Sequence, residues 1–136
     1  MGTLGLLLGL AGALAAGPAS ACAPPAGFGA HQRIESPRFV ILYHTLPPVL
    51  TVGDHFAVEA VVCPRDAASP PTGVRVDAYM PAHRHGMNSR ARVVETGPGR
   101  YRAEGLMFHM PGRWELRFDV DGARGRERLS HDIDLP

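Results

Sequence analysis

The chain has 136 residues, which is enough for one domain of ordinary size, and a formal net charge of +1 that leaves no electrostatic footprint for nucleic acid. All fourteen basic residues are arginine and lysine is absent, a mark of high-GC bacterial codon usage rather than of a basic binding surface. There is no nucleophile elbow, phosphate-cradling glycine loop or HExxH, so the chain reads as a non-enzyme.

In chain order, residues 2–16 form a continuous apolar or small run. It is shorter than the roughly twenty apolar residues a membrane span needs. It ends in Ala19-Ser20-Ala21, an A-x-A cleavage signal, so residues 1–21 read as a signal peptide of an exported, periplasmic protein. No basic residue precedes the run, which puts the expected start codon upstream. Cleavage would leave Cys22 first, and two fates are open to it. One is a lipid anchor, although Ala19 stands where such signals usually carry Leu. The other is a disulfide with Cys63, since these are the only two cysteines and an even count in an exported protein favours pairing. Contact with a membrane is expected only through the signal peptide or a lipid on Cys22.

Residues 22–33 are rich in proline and glycine and read as a flexible lead-in to a domain over 34–136. Residues 38–45, rich in β-branched and aromatic side chains, predict a first strand. After Leu46-Pro47-Pro48, the alternation of Phe56, Val58, Ala60 and Val62 with polar neighbours predicts a second. Val74, Val76 and Ala78 mark a third, ending at Pro81. A fourth spans 90–96, a fifth 100–104, and Gly97-Pro98-Gly99 is the turn between them. Trp114, Leu116, Phe118 and Val120 alternate with Glu115, Arg117 and Asp119 in a sixth, the cleanest of all. Asp121-Gly122 predicts the hairpin turn into a seventh over 124–135. No helical period is sustained. Seven short strands in about a hundred residues predict an all-β, seven-stranded immunoglobulin-like β-sandwich with Trp114 in its core.

Chemistry concentrates between Asp77 and Val120. Three of seven histidines and four of five methionines lie between Met80 and Met110. Met80-Pro81-Ala82-His83-Arg84-His85-Gly86-Met87-Asn88 and Phe108-His109-Met110-Pro111-Gly112 are bounded by proline and glycine, and so read as connections. In a seven-stranded sandwich the connections after strands one, three and five share one end, which brings the two segments together. His83, His85 and Met87 alternate, so in an extended chain they point the same way. His83, His85, Met87, His109 and Met110 are therefore a candidate metal site. Thioether is soft and favours Cu(I) over Cu(II), and imidazole suits either. His44 and His55 flank the same end and rank lower. Arg84, Arg90 and Arg92 oppose a cation by like charge. Histidines in a turn also brace loop carbonyls, and methionines also fill sandwich ends.

The two segments, with Gly99-Arg100-Tyr101 between them and Trp114-Glu115-Leu116 after them, resemble the YtkA-like domain family over roughly residues 49–120. These are small secreted bacterial domains, similar in appearance to FixH-like and CopC-like modules. The resemblance implies an immunoglobulin-like sandwich and a link to copper handling. A small residue between the two histidines would suit a metal better than Arg84 does.

Two functions follow as expectations. One is a periplasmic copper-binding or copper-delivery domain working with a copper acceptor. The other is a non-catalytic interaction module serving an envelope protein partner. Mass spectrometry of an envelope fraction is expected to show a mature chain beginning at Cys22. Recovery of the intact chain from the cytoplasm would refute export, and added diacylglycerol mass would mark a lipoprotein.

Overall fold

Alternation is strongest around Trp114, and there the chain builds one of its two longest strands. The computed structural model describes Met1 and residues 22–136; the signal-peptide reading lies outside these residues apart from Met1. Among the described residues there are nine strands and no helix: β1 (Gln32–Glu35), β2 (Phe39–Leu46), β3 (His55–Pro64), β4 (Gly73–Met80), β5 (His85–Gly86), β6 (Arg92–Gly97), β7 (Arg100–Met107), β8 (Gly112–Gly122) and β9 (Gly125–Leu135). They form two antiparallel sheets, ordered β1-β2-β3-β7-β6 and β5-β4-β8-β9.

The expectation of seven strands is corrected to nine. β5 is a two-residue pairing of His85 and Gly86 with Met80 and Tyr79, too short to leave any periodic trace. β1 begins at Gln32, inside the segment read as lead-in, and pairs residue for residue with Val40–Tyr43. The hairpin turn also moves. Asp121 and Gly122 still pair with Arg126 and Gly125, so the chain reverses at Ala123–Arg124. Gly125, at φ 89°, takes the left-handed position that closes the turn.

Parity places the core. Phe56, Val58, Val76, Tyr101, Trp114, Leu116 and Phe118 are all buried between the sheets, with Trp114, Leu116 and Phe118 fully enclosed. β2 departs from alternation: Phe39 to Tyr43 are buried without a break. Phe39, Ile41 and Tyr43 join the main core. Val40 and Leu42 face the other way and form a second cluster with Val61, Phe28, Cys22 and Cys63. The lead-in therefore covers the outer face of the five-stranded sheet, and an unbroken apolar run is what burial on both faces demands. Cys22 and Cys63 are disulfide-bonded, with Cα atoms 5.6 Å apart, which fastens the lead-in over that cluster.

Trp114→Ala is expected to cost about 3–5 kcal/mol, the usual result of truncating a large aromatic in a closed core. Urea unfolding monitored by circular dichroism measures it; a loss well under about 1 kcal/mol would contradict the burial of this ring.

Candidate metal centre at one end of the sandwich

β4 ends and β8 begins at the same end of the second sheet, where Tyr79 pairs with Glu115. β7 ends and β3 begins there in the first sheet, where His55 pairs with Met107. Three connections meet at that end: residues 47–54, 81–91 and 108–111. Gly53 N–H donates to the Phe108 carbonyl at 2.8 Å and joins the first of them to the third.

Residues 81–84 are a tight turn and not an extended segment, which corrects the alternation expected for His83 and His85. His83 and Arg84 N–H both donate to the Met80 carbonyl, at 3.2 and 2.9 Å. Arg84 then takes φ 56°, the left-handed region, and hands the chain into β5. Pro81 suits the turn because its missing N–H is not needed there. The turn still brings the rings together, with centroids of His83 and His85 5.7 Å apart. His109 arrives from the β7–β8 connection and stacks on His85 at 5.1 Å and 29°.

Trp114 is the floor of this group. Its ring lies edge-on to His109 at 5.2 Å and to His85 at 5.8 Å. Its Nε1–H donates to the Met110 carbonyl at 3.0 Å and so fixes the backbone next to His109. Gly112, at φ 118°, turns the chain from Pro111 into β8. The sequence reading treated Trp114 as a core residue only; it is both the largest fully buried side chain among the described residues and the support of the histidines.

The nitrogens are differently committed. His85 Nδ1 lies 3.0 Å from the Gly86 carbonyl, so it carries the hydrogen and Nε2 is left with its lone pair. His109 Nδ1 is buried with no hydrogen-bond partner among the described residues. His83 is exposed. Met87 and Met110 are half-buried and pack against the main core; Met80 is 2% exposed and belongs to the core outright. Among the described residues no three His, Cys, Asp or Glu side chains form a metal-ligand group, so the histidines come together without already forming a three-ligand set.

The remaining histidines of this half lie outside this group. His44 Nε2 lies 3.2 Å from Glu59, and its ring packs on Phe28 at 4.4 Å. His55 is exposed opposite Met107. A groove of about 920 Å³ passes His31, His44 and His131 on the side where β2 and β9 end. There the Tyr43 hydroxyl and His131 Nδ1 share a hydrogen bond at 2.6 Å, and burial pushes that hydroxyl up to about 12.

Two antiparallel sheets closed over one core, with histidines gathered on the connections at one end, define a small β-sandwich domain. The YtkA-like family model matches residues 44–119, more than half of the chain, and the chain belongs to that family. Its fold is similar to the crystal structure of a DUF4426 family protein from Pseudomonas aeruginosa PAO1, with a TM-score of 0.52 at 9% identity, covering 77% of this chain and 94% of that one. At that identity the likeness speaks for the fold alone. No curated protein matches the sequence.

Trp114→Phe keeps most of the ring and removes the N–H. It is expected to cost about 2–3 kcal/mol, the lost hydrogen bond together with the cavity that the smaller ring leaves. It should also move the ring-proton NMR signals of His85 and His109, which lie against the indole. Unmoved histidine signals would mean that Trp114 does not support them.

Proposed function

We propose that this domain binds Cu(I) at the histidine end of the sandwich, in the periplasm and without catalysis, and passes it to an acceptor by ligand exchange. The observation that carries this reading is the meeting of His83, His85 and His109 from two connections, with His85 Nδ1 committed to a backbone carbonyl. A ring nitrogen donated to a carbonyl is the usual partner of a metal-bound one, because it sets the tautomer and aims the other nitrogen. Two imidazoles sharing an ion at bonds near 2 Å have centroids about 5–6 Å apart. The 5.7 Å separation of His83 and His85 falls in that range; the His85–His109 pair, stacked at 5.1 Å, must turn its rings to aim both nitrogens at one ion.

The donor set also fits. Met87 and Met110 flank the histidines in sequence and supply soft sulfur, which favours Cu(I) over Cu(II) and over hard cations. The buried Nδ1 of His109 is a further donor without a partner among the described residues. Three or four of these five groups suffice, so either methionine can remain in the core. When bound, the ion supplies no reaction of its own; it is cargo, and these residues hold it in a form that an incoming ligand can displace. The strand order supports the finer, immunoglobulin-like description: without β1 and β5, the sheets run β2-β3-β7-β6 and β4-β8-β9, the A-B-E-D and C-F-G arrangement of that fold.

Competition for Cu(I) against a chromogenic chelator tests the site. His83→Ala, His85→Ala and His109→Ala should each weaken binding by about tenfold or more, as loss of a ligand or of its support does. His83→Ala/His109→Ala together should abolish it. Copper binding by the double variant equal to that of the wild type would leave the interaction-module reading, in which the histidines only brace the connections over Trp114.

A further inference from the structure

Among the described residues, nine of the fourteen arginines form ion pairs with acidic side chains. Among the described residues, Arg84, Arg90, Arg92, Arg100 and Arg124 form none. Three of these five fall within one stretch of nine residues beside the histidines, and all three are exposed. Arg84 stands in the turn between His83 and His85. Arg92 faces Glu104 across the β6–β7 ladder, yet that carboxylate is held by Arg102 at 2.7 Å. Three unneutralised charges next to a cation site weaken cation binding.

The same end carries an apolar lip. On the β2–β3 connection Leu46 is 38% exposed and Val49 77%. Pro47 and Pro48 between them are exposed as well. The hydrogen bond from Gly53 to Phe108 holds this lip against the segment of His109. In the five-stranded sheet the order across the end is the lip from β2–β3, then the end of β7 that leads to His109, then the start of β6 with Arg92; His83 and His85 lie at the β4–β5 edge of the other sheet. An apolar patch and a charged margin around a central group is the anatomy of a protein interface.

The geometry points to this end being the docking face for a protein partner with an acidic surface. Its carboxylates meet Arg84, Arg90 and Arg92, and an apolar side chain covers Leu46 and Val49. The assignment rests on the copper reading for what passes between the two proteins, but not for the docking itself. Transfer by ligand exchange requires the acceptor's donors to come within bonding distance of the histidines, which a membrane surface does not offer. Charge placed around the site speeds and orients that encounter, and it destabilises the held Cu(I) at the same time.

The test begins with metal-free, isotope-labelled protein at roughly 20 mM ionic strength, where charges still act over about 20 Å. It is titrated by NMR with the peptide Asp-Glu-Met-Leu-Asp-Glu and with the neutral control Asn-Gln-Met-Leu-Asn-Gln. Amide shifts are expected in residues 46–53, 83–92 and 108–112. Affinity should fall at least about fivefold for the neutral control and for the Arg84→Gln/Arg90→Gln/Arg92→Gln variant, and stay unchanged in Arg100→Gln/Arg124→Gln. Equal peptide binding by the triple variant and the wild type overturns the proposal. So do shifts at the opposite end, or binding to phosphatidylglycerol vesicles without binding to the peptide. In a second arm the triple variant should hold Cu(I) more tightly against the chelator. Acidic-peptide binding that persists in a protein unable to bind copper would sink the metal reading and leave the docking face standing; copper binding without peptide binding would do the reverse.

Discussion

One side chain, Trp114, ties the core to the candidate site. It is fully enclosed, packs on Phe108 at 5.0 Å, and donates its single N–H to the Met110 carbonyl. A buried indole with an unmet N–H would cost more than the bond itself contributes. The position of the β7–β8 connection is thus coupled to the packing of the sandwich. His109 is carried on that connection, and His85 is stacked on His109. Rigid support of this kind is what a binding group on a connection needs, since loops alone hold side chains loosely.

The five-stranded sheet meets a second constraint. From Phe39 to Tyr43 β2 has no polar face, because Val40 and Leu42 would meet water on the side away from the core. The lead-in takes that place, with Phe28 lying over the sheet and Cys22 bonded to Cys63. A short segment with few contacts would gain too little from burial alone to offset its ordering entropy. The cross-link reduces that cost by keeping the segment close even when it is detached. A thioether-linked lipid on Cys22 and this disulfide exclude one another, because they use the same sulfur.

Charge on this molecule is handled in two ways. Along the strands, arginine and carboxylate pair across the ladders, as in Arg128 with Asp119 at 2.7 Å. Arg128 is the main reason the Asp119 carboxyl stays below its ordinary value, so this pair stabilises the fold at neutral pH and loses that contribution as acid protonates the carboxyl. Beside the histidines Arg84, Arg90 and Arg92 form no ion pair among the described residues. Exposed pairs contribute little to stability, so leaving three arginines free costs the fold little.

The sequence by itself determined the sheet content, the parity and the end of the molecule at which His83, His85 and His109 collect. Period-two alternation from Phe56 to Val62, Val74 to Ala78 and Trp114 to Val120 is a local property, and it set which side chains enter the core. Alternation of connections between two ends is nearly local too, and it brought residues 81–91 and 108–111 together. What only the tertiary structure decided depends on contacts across long separations. β5 exists because His85 and Gly86 lie beside Tyr79 and Met80 after a turn through a left-handed Arg84, which no periodicity marks. β1 exists by pairing with β2, and the outer face of β2 is covered by a lead-in that the Cys22–Cys63 bond, across forty-one residues, holds on the sheet. The tautomer of His85, the stack of His109 upon it and the indole beneath both are set by packing among β5, the β7–β8 connection and β8. Hydrogen-bond direction and ring orientation are decided there, after the strands have assembled, and residue spacing carries no record of them.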